Sequence, residues 1–333
     1  MEGNSAAVRP GGSAVSDRPQ HGALGHRGGY LGTFNLLEYS IRDAFFRFRP
    51  IAAVDDSIVI VTIDEADIQA AGDWPITDET LAALLREISA QEPIVIGVNL
   101  YRDLPEEPGH AELLSLFRTT PEIIGIEKIT GNRVAPPPVL RETNRVAIAD
   151  FLIDQDGTIR RALLSAQDPQ ADNVPKFGLA AEVALRYLAH QGIHPVPDPD
   201  HPGNLTLGQG AFSPMGDREA GYSDLAGYQV LINWLGPANR YQQVPMQAIL
   251  AGDFPAELLR DRIVLVGSTA ASVNDFYDTP YNYAWTSAAR APMAGVFIHA
   301  NIASQIIQTA PKAGPLCEDG RLPRKEPGSC SGP

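Results

Sequence analysis

Short apolar segments rich in β-branched residues alternate with segments of helical periodicity along most of the chain. Ser57–Ile63 and Ile94–Asn99 are almost wholly apolar, which is typical of parallel strands covered on both faces. Between them, Thr77 is suited to cap a helix with one leucine-rich face. A second amphipathic helix leads to a third strand at Glu122–Ile126. This succession predicts an α/β fold: a doubly wound, mainly parallel sheet with helices on both faces.

The pattern also predicts elements at both ends of this region. Phe34–Arg49 has the periodicity of an amphipathic helix. The parallel-strand pattern resumes at Tyr228–Trp234 and Arg262–Gly267, and Ala294–Thr309 is apolar on nearly all sides, as in a buried helix. We expect the first two strands and Arg262–Gly267 to lie side by side and parallel at the centre of the sheet, because all three are apolar on both faces.

A different pattern interrupts the parallel one in the middle of the chain. Arg145–Ala149 and Gly157–Ser165 flank Asp154–Gly157, whose Asp-Gly pair is suited to a tight turn. These segments predict an inserted antiparallel hairpin. Phe177–Leu188 has helical periodicity, and the proline-rich Pro195–Pro202 is expected to be a surface loop.

The two ends of the chain carry no periodic apolar pattern. We expect residues 1–32 and 311–333 to be disordered, which leaves a single domain at 33–310. No apolar run approaches the roughly 20 residues of a spanning helix, and the N-terminal residues lack the features of a signal peptide. We expect the C-terminal tail to reflect a truncation or a change of reading frame.

Composition and charge exclude some classes of protein. With 44% apolar and 20% charged residues among 333, the chain is globular. The formal charge of −14 is spread along the chain, which argues against nucleic acid as a partner. Both cysteines, Cys317 and Cys330, lie in the C-terminal tail, so the predicted domain has no thiol to oxidise or to act as a nucleophile.

Five segments follow one another in a characteristic order along the chain: SIVIVTIDEADI, GDWPITDETLAALL, PIVIGVNLYRDLPEEPGHAELL, RIVLVGSTAASVNDFYDTPY and AGVFIHANIASQII. Through these segments, the chain resembles the second-type CHASE domain over about residues 34–309. This domain is a sensor module of bacterial, notably cyanobacterial, receptors. Because all of these segments occur in order, the resemblance is more specific than any single motif.

The resemblance implies signal input without chemistry of its own. It implies a position outside the cytoplasmic membrane and, as partners in the same receptor, transmembrane helices and an output domain that is a cyclase, a histidine kinase or a serine/threonine kinase. It assigns no ligand and no cofactor, and it leaves a homodimer open. The chain departs from the family pattern at Asn99, where an aspartate is usual, and this weakens any metal site. It also departs in lacking flanking membrane helices.

Polar residues follow the predicted strands, at the sheet edge where open parallel sheets bind their ligands. The last predicted helix adds a histidine to them. The candidate ligand-binding residues are Asp64, Glu65, Asn99, Arg102, Asp103, Ser268, Thr269, Asp275 and His299. Because the carboxyl ends of parallel strands share one edge, we expect these side chains to converge in a cleft around a small polar ligand or a cation.

Each candidate also has a structural interpretation. Asp64 and Asp103 are suited to cap helices or loops, Arg102 to form an ion pair with one of them, and His299 to a satisfied position in the core. Gly267–Thr269 offers backbone amides to an anion, but no Walker-type lysine follows it, so it is a weak signal for phosphate.

Two alternatives to a sensor stay open. Ile63–Glu65 after a buried strand is similar to the start of an aspartate-based phosphatase, although Ala66 stands where the second acid is needed. A phosphatase-like hydrolase is therefore one alternative, and a ligand-free interaction module is the other. A small molecule that raises the melting temperature would distinguish the sensor from the interaction module.

Overall fold

The computed structural model describes residues 27–50, 52–168, 174–215, 227–282 and 292–310. Its helices are α1 (Arg27–Phe48), α2 (Glu65–Ala71), α3 (Asp78–Ser89), α4 (His110–Thr119), α5 (Pro138–Glu142), α6 (Leu179–His190), α7 (Met246–Ala251) and α8 (Gly295–Thr309). Its strands are β1 (Asp55–Ile63), β2 (Val95–Asn99), β3 (Ile123–Glu127), β4 (Val146–Ile148), β5 (Leu152–Ile153), β6 (Ile159–Gln167), β7 (Pro175–Phe177), β8 (Pro195–Pro197), β9 (Leu205–Leu207), β10 (Gly210–Phe212), β11 (Gly227–Leu231), β12 (Tyr241–Pro245), β13 (Ile263–Ser268), β14 (Phe276–Tyr277) and β15 (Met293–Ala294).

The chain divides after Arg42 into two compact units, and every described strand belongs to the second unit. In the first unit, Arg42 pairs with Glu38 one helical turn earlier, with 2.8 Å between Nη2 and Oε1. We predicted this helix from Phe34, but α1 begins at Arg27, so residues 27–32 are helical where we expected disorder. The disorder predicted for residues 1–26 and 311–333 lies outside the described residues.

Six strands form one parallel sheet in the order β12-β1-β13-β2-β3-β4. The predicted centre of this sheet is confirmed. Strand β13 lies between β1 and β2 and is parallel to both, with Leu265 opposite Ile60 on one side and Gly97 on the other. The carboxyl ends of these three strands therefore meet at one edge.

Both faces of the parallel sheet are covered by helices, as the apolar strands predict. Val59 and Val61 of β1 pack with α3, α4, α5 and α7, whereas Ile58 and Ile60 pack with α6 and α8 on the opposite face. Each of these side chains is fully buried, and burial of one such side chain stabilises a fold by roughly 1.5–3 kcal/mol. The fold class predicted from the sequence is confirmed.

Helix α8 approaches the sheet closely at Gly267 of β13. A Cβ atom added at Gly267 would lie 2.7 Å from the Cβ of Val296, an atom next to the helix backbone that cannot rotate away. A Cβ added at Gly125 of β3 would meet the δ-methyl of Leu140 at 2.6 Å, but this methyl lies at the end of a flexible side chain. The contact at Gly267 therefore fixes the distance between β13 and α8. The contact at Gly125 does not fix the position of a neighbouring backbone segment, because the side chain of Leu140 can rotate.

The C-terminal end of α1 is held to the hairpin of β5 and β6 by buried ion pairs. Arg160 donates to Asp43 through Nε and Nη2, at 2.9 and 2.8 Å, and also pairs with Asp154 at 3.0 Å and Asp156 at 2.7 Å. Burial opposes ionisation of Asp156, but the hydrogen bonds from Arg160 outweigh it and lower its pKa. The hairpin is therefore tied to the helix that precedes the sheet.

The inserted hairpin is present, but we predicted its first strand at the wrong position. Leu152–Ile153, rather than Arg145–Ala149, pairs antiparallel with β6, across a turn in which Gly157 donates to the carbonyl of Asp154 at 2.9 Å. Val146–Ile148 instead extends the parallel sheet beside β3. An apolar pattern does not separate these alternatives, because a strand in either sheet needs a buried face.

Two further segments were predicted wrongly. Residues Tyr228–Trp234 were expected in the parallel sheet, but β11 pairs antiparallel with β6. Pro195–Pro202 was expected to be a loop, but Pro195–Pro197 forms β8, the edge of a three-stranded antiparallel sheet. Prolines are tolerated there because an edge strand leaves one side of its backbone unpaired. The predicted helix at Phe177–Leu188 is confirmed as α6, over Leu179–His190.

The approach of α8 to β13 makes a prediction about stability. We expect Gly267→Ala to lower the free energy of unfolding by about 1–3 kcal/mol, because the new methyl group must displace the helix. Gly125→Ala is the matched control and should cost clearly less, because Leu140 can rotate. Urea unfolding of both variants measures the difference, and an equal or larger cost at Gly125 would contradict the close approach.

Candidate functional site

A cleft of about 380 Å³ opens at the carboxyl edge of the parallel sheet. Its volume lies within the range of roughly 300–1,000 Å³ that is usual for small-molecule sites. The polar residues that line it are Asn99, Arg102, Lys128, Ser268, Asn274 and Asp275, and the aromatic ones are Trp74, Tyr101, Phe151 and Tyr277. The walls therefore come from the ends of β2 and β13, from the segments that follow β2, β3, β4 and β13, and from the loop between α2 and α3 that carries Trp74.

Asp275 is the carboxylate of this cleft. Its backbone carbonyl accepts a hydrogen bond from the amide of Gly295, the first residue of α8, at 3.0 Å. Its side chain lies against the same glycine, since a Cβ at position 295 would be 2.7 Å from Oδ2. The carboxylate accepts hydrogen bonds from Tyr277 and from Asn99, the latter at 3.3 Å from Nδ2 to Oδ2. Asp275 is thus held between the sheet edge and the amino end of α8.

The charge of Asp275 has no counter-ion within ion-pair distance among the described residues. Burial raises its pKa, and the hydrogen bonds from Tyr277 and Asn99 offset only part of that rise. Ionisation of Asp275 is therefore less favourable than that of an ordinary aspartate, because a carboxylate removed from water is stabilised by a partner of opposite sign.

Two tyrosines beside Asp275 stay neutral. Burial, followed by the charges of Asp150 and Asp275, raises the pKa of Tyr101. Burial and the charge of Asp275 raise the pKa of Tyr277 in the same way. Both hydroxyl groups therefore remain protonated, and Tyr277 uses its proton to donate to the carboxylate.

Lys128 is a second cation of the cleft besides Arg102, and we did not predict it. It follows β3 directly, and its backbone pairs with that of Val134 at 3.0 and 3.1 Å. Its half-buried side chain has no acidic partner within ion-pair distance in the described part of the chain. Lys128 directly follows a parallel strand, so the rule that selects polar residues after such strands would have identified it from the sequence.

Arg102 borders the cleft but is engaged in structural contacts. Its Nε lies 3.4 Å from Oδ1 of Asp78, and its Nη2 donates to the carbonyl of Ile76 at 2.8 Å. Burial lowers the pKa of Arg102, against the opposing charges of Asp78 and Glu106. The sequence suggested Asp64 or Asp103 as its structural partner, but the partner is Asp78, the first helical residue after the predicted cap.

Asp78 is a buried hub of the cleft wall that sequence reasoning missed. Besides its ion pair with Arg102, Asp78 accepts hydrogen bonds from Nδ1 of His110 at 2.7 Å and from the backbone amide of Glu106 at 3.2 Å. Thr77 caps the same helix through the amide of Thr80, as predicted. In the sequence, Asp78 is recognisable only as an aspartate directly after a helix cap, and an aspartate at that position usually lies in solvent.

The structure brings four of the candidate residues together and separates the others. Asn99, Arg102, Ser268 and Asp275 line the cleft. Five candidates lie outside its lining: Asp64, Glu65, Asp103, Thr269 and His299. A ligand-binding role for each candidate stays a prediction, but a direct contact is favoured for those in the first group.

The candidates after β1 and β13 have local structural contacts. Asp64 caps α2, accepting a hydrogen bond from the amide of Asp67 at 2.9 Å. Glu65 accepts from the amide and the hydroxyl of Ser272 at 2.8 and 3.1 Å. Thr269 donates its amide to the carbonyl of Ile63 at 2.9 Å. These bonds fix the loop after β13, which leads to Asp275.

The remaining two candidates have opposite environments. Asp103 is exposed. His299 is buried on α8, where burial lowers its pKa to about 3, so its ring is neutral near pH 7. Its ring packs on Phe151 of the cleft wall with 4.5 Å between centroids, and its Nε2 has no hydrogen-bond partner among the described residues. His299 therefore packs against a residue of the cleft wall without lining the cleft itself.

Two absences apply to the described residues. Within the ranges given above, no group of three or more His, Cys, Asp or Glu side chains is placed to hold a metal ion. None of the helices that the structure describes is long and apolar enough to cross a membrane.

The fold and the cleft define an α/β domain with a ligand-sized site at the strand ends of its parallel sheet. A family model described as the CHASE2 domain matches residues 23–318, which is most of the chain. This chain belongs to the CHASE2 family, a family of sensory, non-catalytic domains found in receptors. The resemblance in the sequence is thereby confirmed. Searches of curated proteins and of solved structures gave no match.

The buried pair of Arg102 and Asp78 makes a prediction about stability. We expect Arg102→Met to lower the free energy of unfolding by about 3 kcal/mol or more, because Asp78 is left as an uncompensated buried charge. Arg86→Met is the matched control, since Arg86 pairs with Glu112 with both side chains about half exposed, and such pairs contribute roughly 1 kcal/mol or less. Chemical denaturation of both variants measures this, and equal losses would contradict a structural role for Arg102.

The raised pKa of Asp275 makes a prediction about pH. A group whose pKa is raised in the folded state contributes to the free energy of unfolding at low pH. This contribution is lost as the pH rises from the ordinary carboxyl pKa of about 4 through the raised pKa. The Asp275→Asn variant does not lose this contribution, because an asparagine side chain does not titrate. We therefore expect the stability of the wild-type chain to fall relative to Asp275→Asn across this window, as measured by urea unfolding at a series of pH values.

The exposed Asp103→Asn is the control for this pH series and should follow the wild-type chain. A difference in the free energy of unfolding between wild type and Asp275→Asn that stays constant with pH, or that changes in the opposite direction, would contradict a partly buried carboxylate without a counter-ion.

Proposed function

We propose that this chain is the signal-input domain of a membrane receptor, that it lies outside the cytoplasmic membrane, and that it binds a small polar ligand in the cleft. The receptor would pass the signal to a cyclase or a kinase. Membership of a sensory family supports the class of function. The observation that carries the ligand site is Asp275, a half-buried carboxylate that lines a ligand-sized cleft without a counter-ion among the described residues.

The position of Asp275 suggests how occupancy of the cleft would reach other parts of a receptor. Asp275 contacts the first residue of α8, and α8 runs over Gly295–Thr309 through the core. Because α8 packs closely on β13 at Gly267, a change at its amino end is expected to move the helix as a rigid body rather than to bend it. A sliding of α8 along the sheet, at the distance that the contact with Gly267 fixes, would then be the signal.

A sensor is favoured over a phosphatase-like hydrolase by the environment of Asp64. The carboxylate that would act as the nucleophile is engaged in capping α2, and the backbone amide of Asp64 in turn donates to Oδ2 of Asp67 at 3.0 Å. Ala66 occupies the position of the required second acid. The cleft also lies apart from Asp64. We therefore propose no catalytic residue.

A thermal-shift screen tests ligand binding by the cleft. We expect one class of small polar molecules, from a panel of amino acids, organic acids, amines, phosphates and sugars, to raise the melting temperature of the full chain. A ligand at 100 times its Kd stabilises a protein by about 2.7 kcal/mol. Asn99→Leu should abolish the rise, because it removes a polar group from the cleft, whereas Asn239→Leu at an exposed site should preserve it.

Two results would contradict this proposal. A panel with no active member would favour the ligand-free interaction module. A rise that survives in Asn99→Leu would place the ligand elsewhere. The proposed location is tested separately, by digestion of the tagged native protein with external protease in intact cells, and protection of this domain would contradict an extracytoplasmic position.

A further inference from the structure

We propose that the ligand of the cleft is a small zwitterion of the α-amino acid class, whose ammonium group binds at Asp275 and whose carboxylate group binds at Lys128. This inference rests on the proposed function and specifies the ligand of the same site. It is carried by two unpaired charges of opposite sign that line one cleft.

The two charges do not neutralise each other or any described neighbour. Lys128 and Asp275 both line the cleft, yet they form no ion pair with each other or with another described residue. The third charged residue, Arg102, is already balanced by Asp78. Because buried or half-buried charges normally have partners, this arrangement favours a ligand that supplies one group of each sign.

The hydrogen-bonding groups around Asp275 favour an ammonium group that carries N–H donors. Asn99 donates its Nδ2 to Asp275, which leaves its Oδ1 without a hydrogen bond among the described residues. The carboxylate of Asp275 and the Oδ1 of Asn99 are therefore two acceptors side by side. A primary ammonium group has three donors and matches them, whereas a quaternary ammonium group has none.

The aromatic residues of the cleft favour the same group. Four of the 14 lining residues are aromatic, namely Trp74, Tyr101, Phe151 and Tyr277, against 7% aromatic residues in the whole chain. Faces of aromatic rings attract cations. An ammonium group at Asp275 would lie beside Tyr277, which donates to the same carboxylate. For the carboxylate of the ligand, the ammonium of Lys128 is a suitable point charge.

Matched analogues that lack one charge test the inference on the full chain. The probes are the common L-α-amino acids, the methyl ester of the amino acid that binds best, the carboxylic acid that lacks its amino group, and glycine betaine. By calorimetry, we expect at least one α-amino acid to bind and each single-charge analogue to bind about tenfold more weakly or worse. Glycine betaine should also bind more weakly, because it offers no N–H donor.

Variants of the two charged residues give the second half of the test. Asp275→Asn should weaken the amino acid more than the carboxylic acid, and Lys128→Met should weaken the amino acid more than the methyl ester. Asp253→Asn, which changes an exposed carboxylate outside the cleft lining, is the control and should change no affinity. A variant that fails to fold would lose affinity for every probe alike, so it would not produce these selective losses.

The outcomes separate the inference from the proposed function. If an amine, an organic acid or a phosphate binds best and Asn99→Leu removes its binding, the zwitterion is wrong and the cleft is still a ligand site. Equal binding of the amino acid and its single-charge analogues also overturns the zwitterion. If no probe and no member of the wider panel binds, both proposals fail.

Discussion

The site depends on one constraint, the insertion of β13 between β1 and β2 in a fully parallel sheet. Parallel strands that are covered on both faces place all their carboxyl ends at one edge, and β13 comes late in the chain. Its insertion therefore brings the loop with Asp275 beside Asn99, although 176 residues separate them. The close contact of Gly267 with Val296 then fixes α8 against the same strand, so the sheet edge and the amino end of α8 form one wall.

Charges around the cleft divide into a compensated and an uncompensated group, and this division suggests which part is scaffold and which is site. Arg102 and Asp78 neutralise each other, and His110 also bonds to Asp78. Such a network is costly to break from one side, which makes it a rigid wall. Asp275 and Lys128 lack partners among the described residues. A ligand that compensates both would be favoured by the protein's own electrostatics, and the contact of Asp275 with Gly295 would couple that binding to α8.

The sequence predicted the fold better than the site, for a physical reason that particular residues show. Apolar periodicity is a property of buried faces, so β1, β2, β13 and α8 were predicted close to their observed bounds. The same periodicity does not specify partners, which is why Val146–Ile148 was assigned to the hairpin. For the site, the position after the predicted strands selected Asn99 and Ser268, and the loop beyond β13 supplied Asp275; all three line the cleft. It could not show that Asp64 caps α2 or that Asp78 neutralises Arg102, because both depend on side-chain geometry.

The most direct test of the account is the pKa of Asp275, measured by ¹³C NMR of the side-chain carboxyl group in the full chain. We predict a value above that of an ordinary aspartate in the empty protein, because burial is not offset by a counter-ion. We also predict that the value falls when a mixture of the common L-α-amino acids is added, because an ammonium group then pairs with the carboxylate. An ordinary pKa in the empty protein, or a raised pKa that the mixture leaves unchanged, would contradict the account.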